Sequence, residues 1–388
     1  MTAGLVIAAL SFGVWIYLLA ARGGFWRASE RDDQQDAQLD ASAAWPSVVA
    51  VVPARNEAEL VAASVGSLLR QRYPGAFSVV LVDDQSEDGT AAAARRAAAV
   101  SGATDRLTVL AGAPVPDGWT GKLWAVAQGI GCAGEQRPEY LLLTDADIVF
   151  APDVLTWLVA RARARGLTLT SLMAKLRCES AAERALIPAF IFFFRMLYPF
   201  AWVNRADRAT AAAAGGCMLV RREALEAMGG VNAIRNALID DCALARQLKA
   251  RGPIWLGLSE RVRSLRAYAR FGDIRRMVAR TAFAQLRLSP WLLGGTVLAM
   301  TLTYLAPPVL TLCSAGVARI LGAAAWASMT FALQPVLRFY RVSPLWGLAL
   351  PGIAAAFLLF TLDSAYQHWR GRGGMWKGRA QAQGQRPQ

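Results

Sequence analysis

The sequence predicts an α/β domain with a mainly parallel sheet in the middle of the chain and transmembrane helices at both ends. Three observations predict it. Short β-branched runs alternate with alanine-rich helical stretches, the pattern of strands covered on both faces by helices. Three of those runs end in acidic clusters, where open α/β sheets bind ligands. Both ends of the chain carry uncharged apolar runs near the ~20 residues that a bilayer-spanning helix needs.

The elements follow in order. Gly4 to Ala21 is uncharged and is followed by Arg22 and Arg27. It lacks a basic n-region and a small-residue cleavage site, so residues 1–21 read as an uncleaved transmembrane anchor. Residues 22–45 read as a polar linker. Residues 46–290 form the expected cytosolic domain, with strands at Ser47–Val52, Phe77–Val82, Leu107–Leu110 and Tyr140–Leu143. Helices are expected at Glu59–Arg70, Thr90–Val100 and Lys122–Ile130. Phe190–Val203 is apolar but short and contains Arg195, so it fits an interfacial helix and a core helix equally. Residues 291–363 contain three expected spans, at Trp291–Leu312, Leu321–Pro335 (the weakest) and Val342–Leu362. Residues 364–388 form a basic tail. The positive-inside rule puts the arginine-rich middle in the cytoplasm. Three C-terminal spans would then place the basic tail outside, against the same rule, unless one segment is re-entrant.

Composition narrows the function. Of 388 residues, 55% are hydrophobic and 18% charged, which excludes a disordered chain and argues against a purely soluble one. Forty-two basic residues against 28 acidic give a net charge of +14. This suits anionic lipid or phosphorylated substrates; no nucleic-acid-binding module is recognisable, so no nucleic-acid partner is expected. A lone histidine, His368, excludes HExxH zinc sites and multi-histidine metal sites. Five scattered cysteines without a CxxC pair suit a reducing compartment.

The acids carry the chemistry. Asp145 and Asp147 end a strand two residues apart, so both point the same way and can share one hard divalent cation. Asp83 and Asp84 end another strand and can accept hydrogen bonds from a base or ribose, with Asp88 capping the next helix. Lys122 begins a helix, a combination suited to a diphosphate. Gly215-Gly216 allows close backbone approach to a ligand, or simply a tight bend before a strand. Asp240-Asp241 at a helix start is either a dipole cap or a general base for a substrate hydroxyl. Eight arginines stand against two acids between Ser259 and Trp291. Membrane-surface attraction explains most of them, and one or two can hold a leaving diphosphate.

Taken together, Val51-Val52-Pro53-Ala54-Arg55-Asn56-Glu57, Val82-Asp83-Asp84-Gln85-Ser86-Glu87-Asp88-Gly89-Thr90, Gly121-Lys122, Thr144-Asp145-Ala146-Asp147, Gly215-Gly216 and Asp240-Asp241 resemble glycosyltransferase family 2 over about residues 47–290. The N-terminal anchor, Trp119 to Trp124, Gln285-Leu286-Arg287 and Trp376-Lys377-Gly378-Arg379 look like the hopanoid-biosynthesis-associated membrane subgroup. The resemblance implies a GT-A (nucleotide-diphospho-sugar transferase) fold and an inverting transfer of a hexosyl or N-acetylhexosaminyl group from a nucleotide-sugar donor, usually uridine-linked. The implied acceptor is a membrane lipid such as a hopanoid, a polyprenyl phosphate or a glycerolipid or sphingolipid. The implied setting is the bacterial inner membrane, multi-pass, with the catalytic domain cytoplasmic. Carried over by position, Pro53, Arg55, Glu57, Asp83, Asp84, Lys122 and Asp145 would bind the donor, and Asp145 and Asp147 would hold Mg²⁺ or Mn²⁺. Asp241 would be the base, supported by Asp240, and Gly215, Gly216, Gln285 and Arg287 would lie on the acceptor side. The chain departs from the family at Asp240, where Glu is usual. It departs again at Gln285-Leu286-Arg287-Leu288, which lacks the Trp of Gln-x-x-Arg-Trp and so argues against polymer synthesis. A nucleotidyltransferase would carry a glycine-rich loop after the first strand, and a membrane scaffold would have no need of a DxD with a distal acid pair.

Overall fold

Four β-branched runs form the first strands: β1 (Val48–Ala54), β2 (Phe77–Asp83), β3 (Leu107–Ala111) and β4 (Tyr140–Leu143). The helices between them are Ala58–Leu69, Thr90–Val100 and Gly121–Gly134. Every residue of β1 is buried, as expected of a strand covered on both faces. The helix Gly121–Gly134 lies tight on the sheet because Gly129 has no side chain: a Cβ there would stand 2.5 Å from Val51 Cγ1 and 3.0 Å from Val82 Cγ2.

Four further strands complete the sheet: β5 (Ile148–Phe150), β6 (Leu169–Lys175), β7 (Met218–Arg221) and β8 (Ile254–Ser264). The spatial order is β3-β2-β1-β4-β7-β6-β8-β5. β3, β2, β1 and β4 are mutually parallel, as are β6 and β8. β7 runs antiparallel to β4 and β6, and β5 antiparallel to β8. The sheet is therefore mixed but mostly parallel.

The computed structural model describes residues 3–33, 44–376 and 379–380. They fall into two compact units. The sheet belongs to the unit made of Glu30–Arg177, Trp202–Ala267 and the chain from Met375. The other unit is helical and takes Met1–Ser29, Cys178–Ala201 and Tyr268–Gly374. Of the stretch read as a linker, Phe25 is buried against the Phe192 ring, and residues 34–43 lie outside the described residues, as do Lys377 and Gly378.

Among the described residues, four helices are long and apolar enough to cross a membrane: Ala3–Ala20, Ala181–Val203, Pro290–Cys313 and Gly316–Tyr340. Candidate spans are thus not confined to the two ends, as the sequence suggested. Leu321–Pro335, expected to be the weakest span, is the middle of a 25-residue helix. Val342–Leu362 is not one continuous helix and is not among these four. A 3-10 turn at Pro344–Gly347 interrupts it, and the helix that follows, Leu350–Trp369, carries Asp363, Gln367 and His368.

Phe190–Val203 is the end of the 181–203 segment. A capping box of Ser180 and Glu183 starts its main helix, and its aromatic face packs inside the helical unit, with Phe193 edge-on to Tyr304 and Phe357. The core-helix alternative fits this packing. In Pro290–Cys313, Pro307 has no N–H to offer the Thr303 carbonyl, and the backbone widens to a π turn over Thr301–Leu305. The Trp15 indole N–H donates to that carbonyl at 2.8 Å.

Candidate active site

The site is built at the carboxyl ends of β1, β2 and β4 and the start of the helix Asp240–Lys249. The loops after β1 and β2 interlock. Asn56 N–H donates to Ser86 Oγ and Glu87 N–H to Asn56 Oδ1, at 2.9 and 3.0 Å. Ala58 and Thr90 N–H, at the starts of two different helices, both donate to the Asp88 carboxylate, although the N-cap position of Thr90–Val100 is Gly89 and not Asp88 as expected. Asn56 and Gln85 hold positive φ angles of 50° and 56°, uncommon for residues with a side chain and concentrated at functional sites.

The two acids after β2 differ. Asp83 is partly exposed and accepts the Ser86 N–H at 3.0 Å. Asp84 is fully buried. Its carbonyl accepts Arg55 Nη1 at 2.6 Å, and its carboxylate lies 3.7 Å from the same nitrogen. Asp84 thus fixes the Arg55 head, and Asp83 is the acid left facing outward.

Lys122 is the centre of a second cluster. Thr120 caps its helix and brings the ammonium to the cleft. Lys122 Nζ lies 2.9 Å from Asp145 Oδ1 and 3.1 Å from Asp240 Oδ2. Asp241 Oδ2 accepts the Gly215 N–H at 3.1 Å and Oδ1 accepts the Cys242 N–H at 2.7 Å. Burial alone would lower the Lys122 ammonium, but Asp145 and Asp240 hold it above its ordinary value. Burial pushes the Asp145 carboxyl up, with Lys122 opposing and Asp147 adding to the rise. Burial, reinforced by the Asp240 charge, raises Asp241 to about 6.

The glycine pair divides its labour. A Cβ on Gly215 would stand 3.3 Å from Lys122 Nζ and 3.6 Å from Asp241 Oδ2, so Gly215 makes room for these two side chains. A Cβ on Gly216 would meet Ile148 at 3.1 Å, so Gly216 serves packing. The Thr144 hydroxyl donates to the Gly216 carbonyl at 2.7 Å and ties it to the end of β4. Pro53, Lys122, Asp145, Gly215 and Asp240 line one cleft. Its walls are apolar, formed by Leu123, Val126, Leu143, Met218, Val231, Ile234 and Leu244.

Asp147 and Glu57 meet in a third cluster around a residue the motifs did not single out. Arg266 Nη2 lies 2.5 Å from Glu57 Oε1, and Arg266 Nε lies 3.0 Å from Asp147 Oδ2. The Ser264 hydroxyl donates to the same Asp147 oxygen at 3.1 Å. The available signal was spacing: Ser264 and Arg266 stand two apart at a strand end and so project to one side. Gln285 and Arg287, expected on the acceptor side, belong to the helical unit, where the Gln285 amide bonds the Tyr198 hydroxyl and Arg287 holds a positive φ of 52°.

Among the described residues, no group of three or more His, Cys, Asp or Glu side chains is placed to hold a metal unaided. Asp145 and Asp147 face different cations here, Lys122 and Arg266, and are the two acids that would hold a divalent ion. Their charges act on one another, and a hard cation such as Mg²⁺ takes one or two carboxylates and fills its shell with phosphate oxygens and water.

The mannosyltransferase PcManGT of Pyrobaculum calidifontis, solved with GDP-Man and Mn²⁺, is similar over 95% of this chain and 96% of its own, at 19% identity and a TM-score of 0.52. Mannosyl-3-phosphoglycerate synthase of Rubrobacter xylanophilus is 21% identical over 63% of this chain and 77% of its own, with a TM-score of 0.38. Glucosyl-3-phosphoglycerate synthase of Mycobacterium tuberculosis, with bound phosphoglyceric acid, is 16% identical over 62% and 79%, with a TM-score of 0.40. No curated protein sequence matches the chain. The mixed sheet with acids at its strand ends is a GT-A-like fold, and residues 46–282 match the model described as "Glycosyltransferase like family 2", the family to which this chain belongs.

Proposed function

We propose that the protein transfers a sugar, with inversion, from a nucleotide-diphosphate sugar to the hydroxyl or phosphate of a membrane lipid. The observation that carries this reading is the convergence of Lys122, Asp145 and Asp240 on one cleft, with Asp241 bonded to the backbone of Gly215 in its wall. A divalent cation, Mg²⁺ or Mn²⁺, bound by Asp145 and Asp147 would neutralise charge on the departing diphosphate. The similar mannosyltransferase was solved with GDP-Man and Mn²⁺, the pair of ligands this reading requires.

Each side chain has a task. Lys122 supplies fixed positive charge to the leaving group. Asp83 and Glu57 bind the nucleoside, and Arg55, braced by Asp84, shapes that loop. Asp241, held by the Gly215 and Cys242 N–H groups, takes the proton from the acceptor. Asp240 keeps Lys122 in place. The apolar walls of the cleft and the apolar helices of the other unit suit a lipid acceptor, of which a hopanoid or polyprenyl phosphate is the class the sequence resemblance favours.

The test is to incubate membranes containing the protein with labelled UDP- and GDP-linked sugars and Mn²⁺, then extract the lipids. Label in the organic phase that disappears with Asp147→Ala supports the reading. Label only in water-soluble or protein products would refute the lipid acceptor.

A further inference from the structure

We infer that Arg266 is a diphosphate-binding residue that exchanges partners: it shares the Asp147 carboxylate in competition with the divalent cation and moves to the donor diphosphate when the cation takes its place. The inference rests on the donor-and-metal reading of the acid cluster and extends it to a residue outside the motifs.

The geometry is specific. A guanidinium presents nitrogens in a rigid fork that matches two oxygen acceptors, whether carboxylate or phosphate. In Arg266 the fork is split between two acids far apart in the chain: Glu57 after β1 at 2.5 Å and Asp147 before β5 at 3.0 Å. Both acids are buried, at 8% exposure each, whereas the Arg266 side chain is 31% exposed. The moveable partner is therefore the cation, on the open side of two fixed anions. The anchor is short, because Leu265 N–H donates to the Asp147 carbonyl and Ile148 pairs with Ser264. A reoriented Arg266 side chain thus stays beside Asp147.

Electrostatics gives the direction of the exchange. One Asp147 oxygen, Oδ2, receives both Arg266 Nε and Ser264 Oγ. A divalent ion at that carboxylate repels the guanidinium, so metal and Arg266 oppose each other when no nucleotide is present. A diphosphate beside the metal carries enough negative charge to hold both cations at once. Metal and Arg266 then cooperate. The residue opposes the metal in the nucleotide-free protein and assists it in the complex, which no purely structural tie would do.

The test uses the full-length protein in detergent. Mn²⁺ is titrated alone, followed by loss of the free-ion spin-resonance signal. UDP and GDP are then titrated at saturating Mn²⁺. Arg266→Gln and Arg266→Ala are expected to bind Mn²⁺ alone more tightly than the wild type. Both should bind the nucleoside diphosphate roughly tenfold more weakly, the scale of a lost charge-assisted hydrogen bond. Arg266→Lys, which keeps the charge without the fork, should fall between. Unchanged or weaker Mn²⁺ binding in both variants, while Asp147→Ala abolishes it, would overturn the exchange and leave the metal reading standing. Mn²⁺ binding indifferent to Asp147→Ala would overturn both.

Discussion

Asp241, the proposed base, shows how position tunes an ordinary acid. Burial and the neighbouring Asp240 raise its carboxyl to about 6, whereas two backbone N–H groups fix where its oxygens point. A general base acts deprotonated, so transfer should be lost as pH falls through about 6 and reach a plateau above it. A pH profile of kcat with saturating donor checks this; a flat profile between pH 5 and 8 would contradict it. Gly215→Ala places a methyl 3.3 Å from the Lys122 ammonium and 3.6 Å from Asp241. It should lower kcat by roughly tenfold or more with unchanged thermal unfolding, since small displacements of catalytic groups are costly. Lys122 and the four acids were legible because strand-end acids and a scarce lysine stand out. Arg266 was not, because it sits in an arginine-rich run where sequence shows charge but not direction. Asp83 and Asp84 were indistinguishable for the same reason, and only burial separates them.

At the scale of elements, the first half of the sheet was legible and the second was not. β1, β2 and β4 are apolar runs followed by acids, the signature of buried parallel strands, whereas β3 is only partly buried and runs into Gly112. β5 has three residues, β7 has four, and β8 ends in the alternating Ser-Glu-Arg-Val-Arg-Ser, so none offered a long apolar run. The antiparallel pairs, β4 with β7, β6 with β7 and β5 with β8, all involve a strand that the sequence did not mark out. Gly129 was likewise invisible, since a glycine within a helix usually costs stability. Here Gly129→Ala should destabilise by about 1–3 kcal/mol, because overpacking against Val51 outweighs the gain of ~1 kcal/mol in helix propensity. Thermal unfolding of the purified variant checks the sign, and a raised melting temperature would contradict it.

At the scale of the whole molecule, the apolar helices bear on topology. A crossing at Ala181–Val203 would put β6 and β7, paired in one sheet, on opposite sides of a bilayer, so this helix does not span. Were Ala3–Ala20, Pro290–Cys313 and Gly316–Tyr340 the spans, the chain after Tyr340 would return to the side of the sheet. In that arrangement Val342–Leu362 would not cross, and Arg370 and Arg372 would lie with the arginine-rich middle, in keeping with the positive-inside rule. Cysteines placed at Glu87 and Arg372 in a cysteine-free background should both resist an impermeant maleimide until intact cells are opened; labelling of Arg372 alone from outside would contradict this arrangement. The central claim is that dispersed acids form one centre in which binding and proton removal are separable tasks. It is tested most directly by comparing wild type and Asp241→Asn for donor affinity and for single-turnover sugar transfer in the same preparation. The account predicts matched donor affinity with transfer slowed roughly 10²–10⁴-fold, and transfer at the wild-type rate would contradict it.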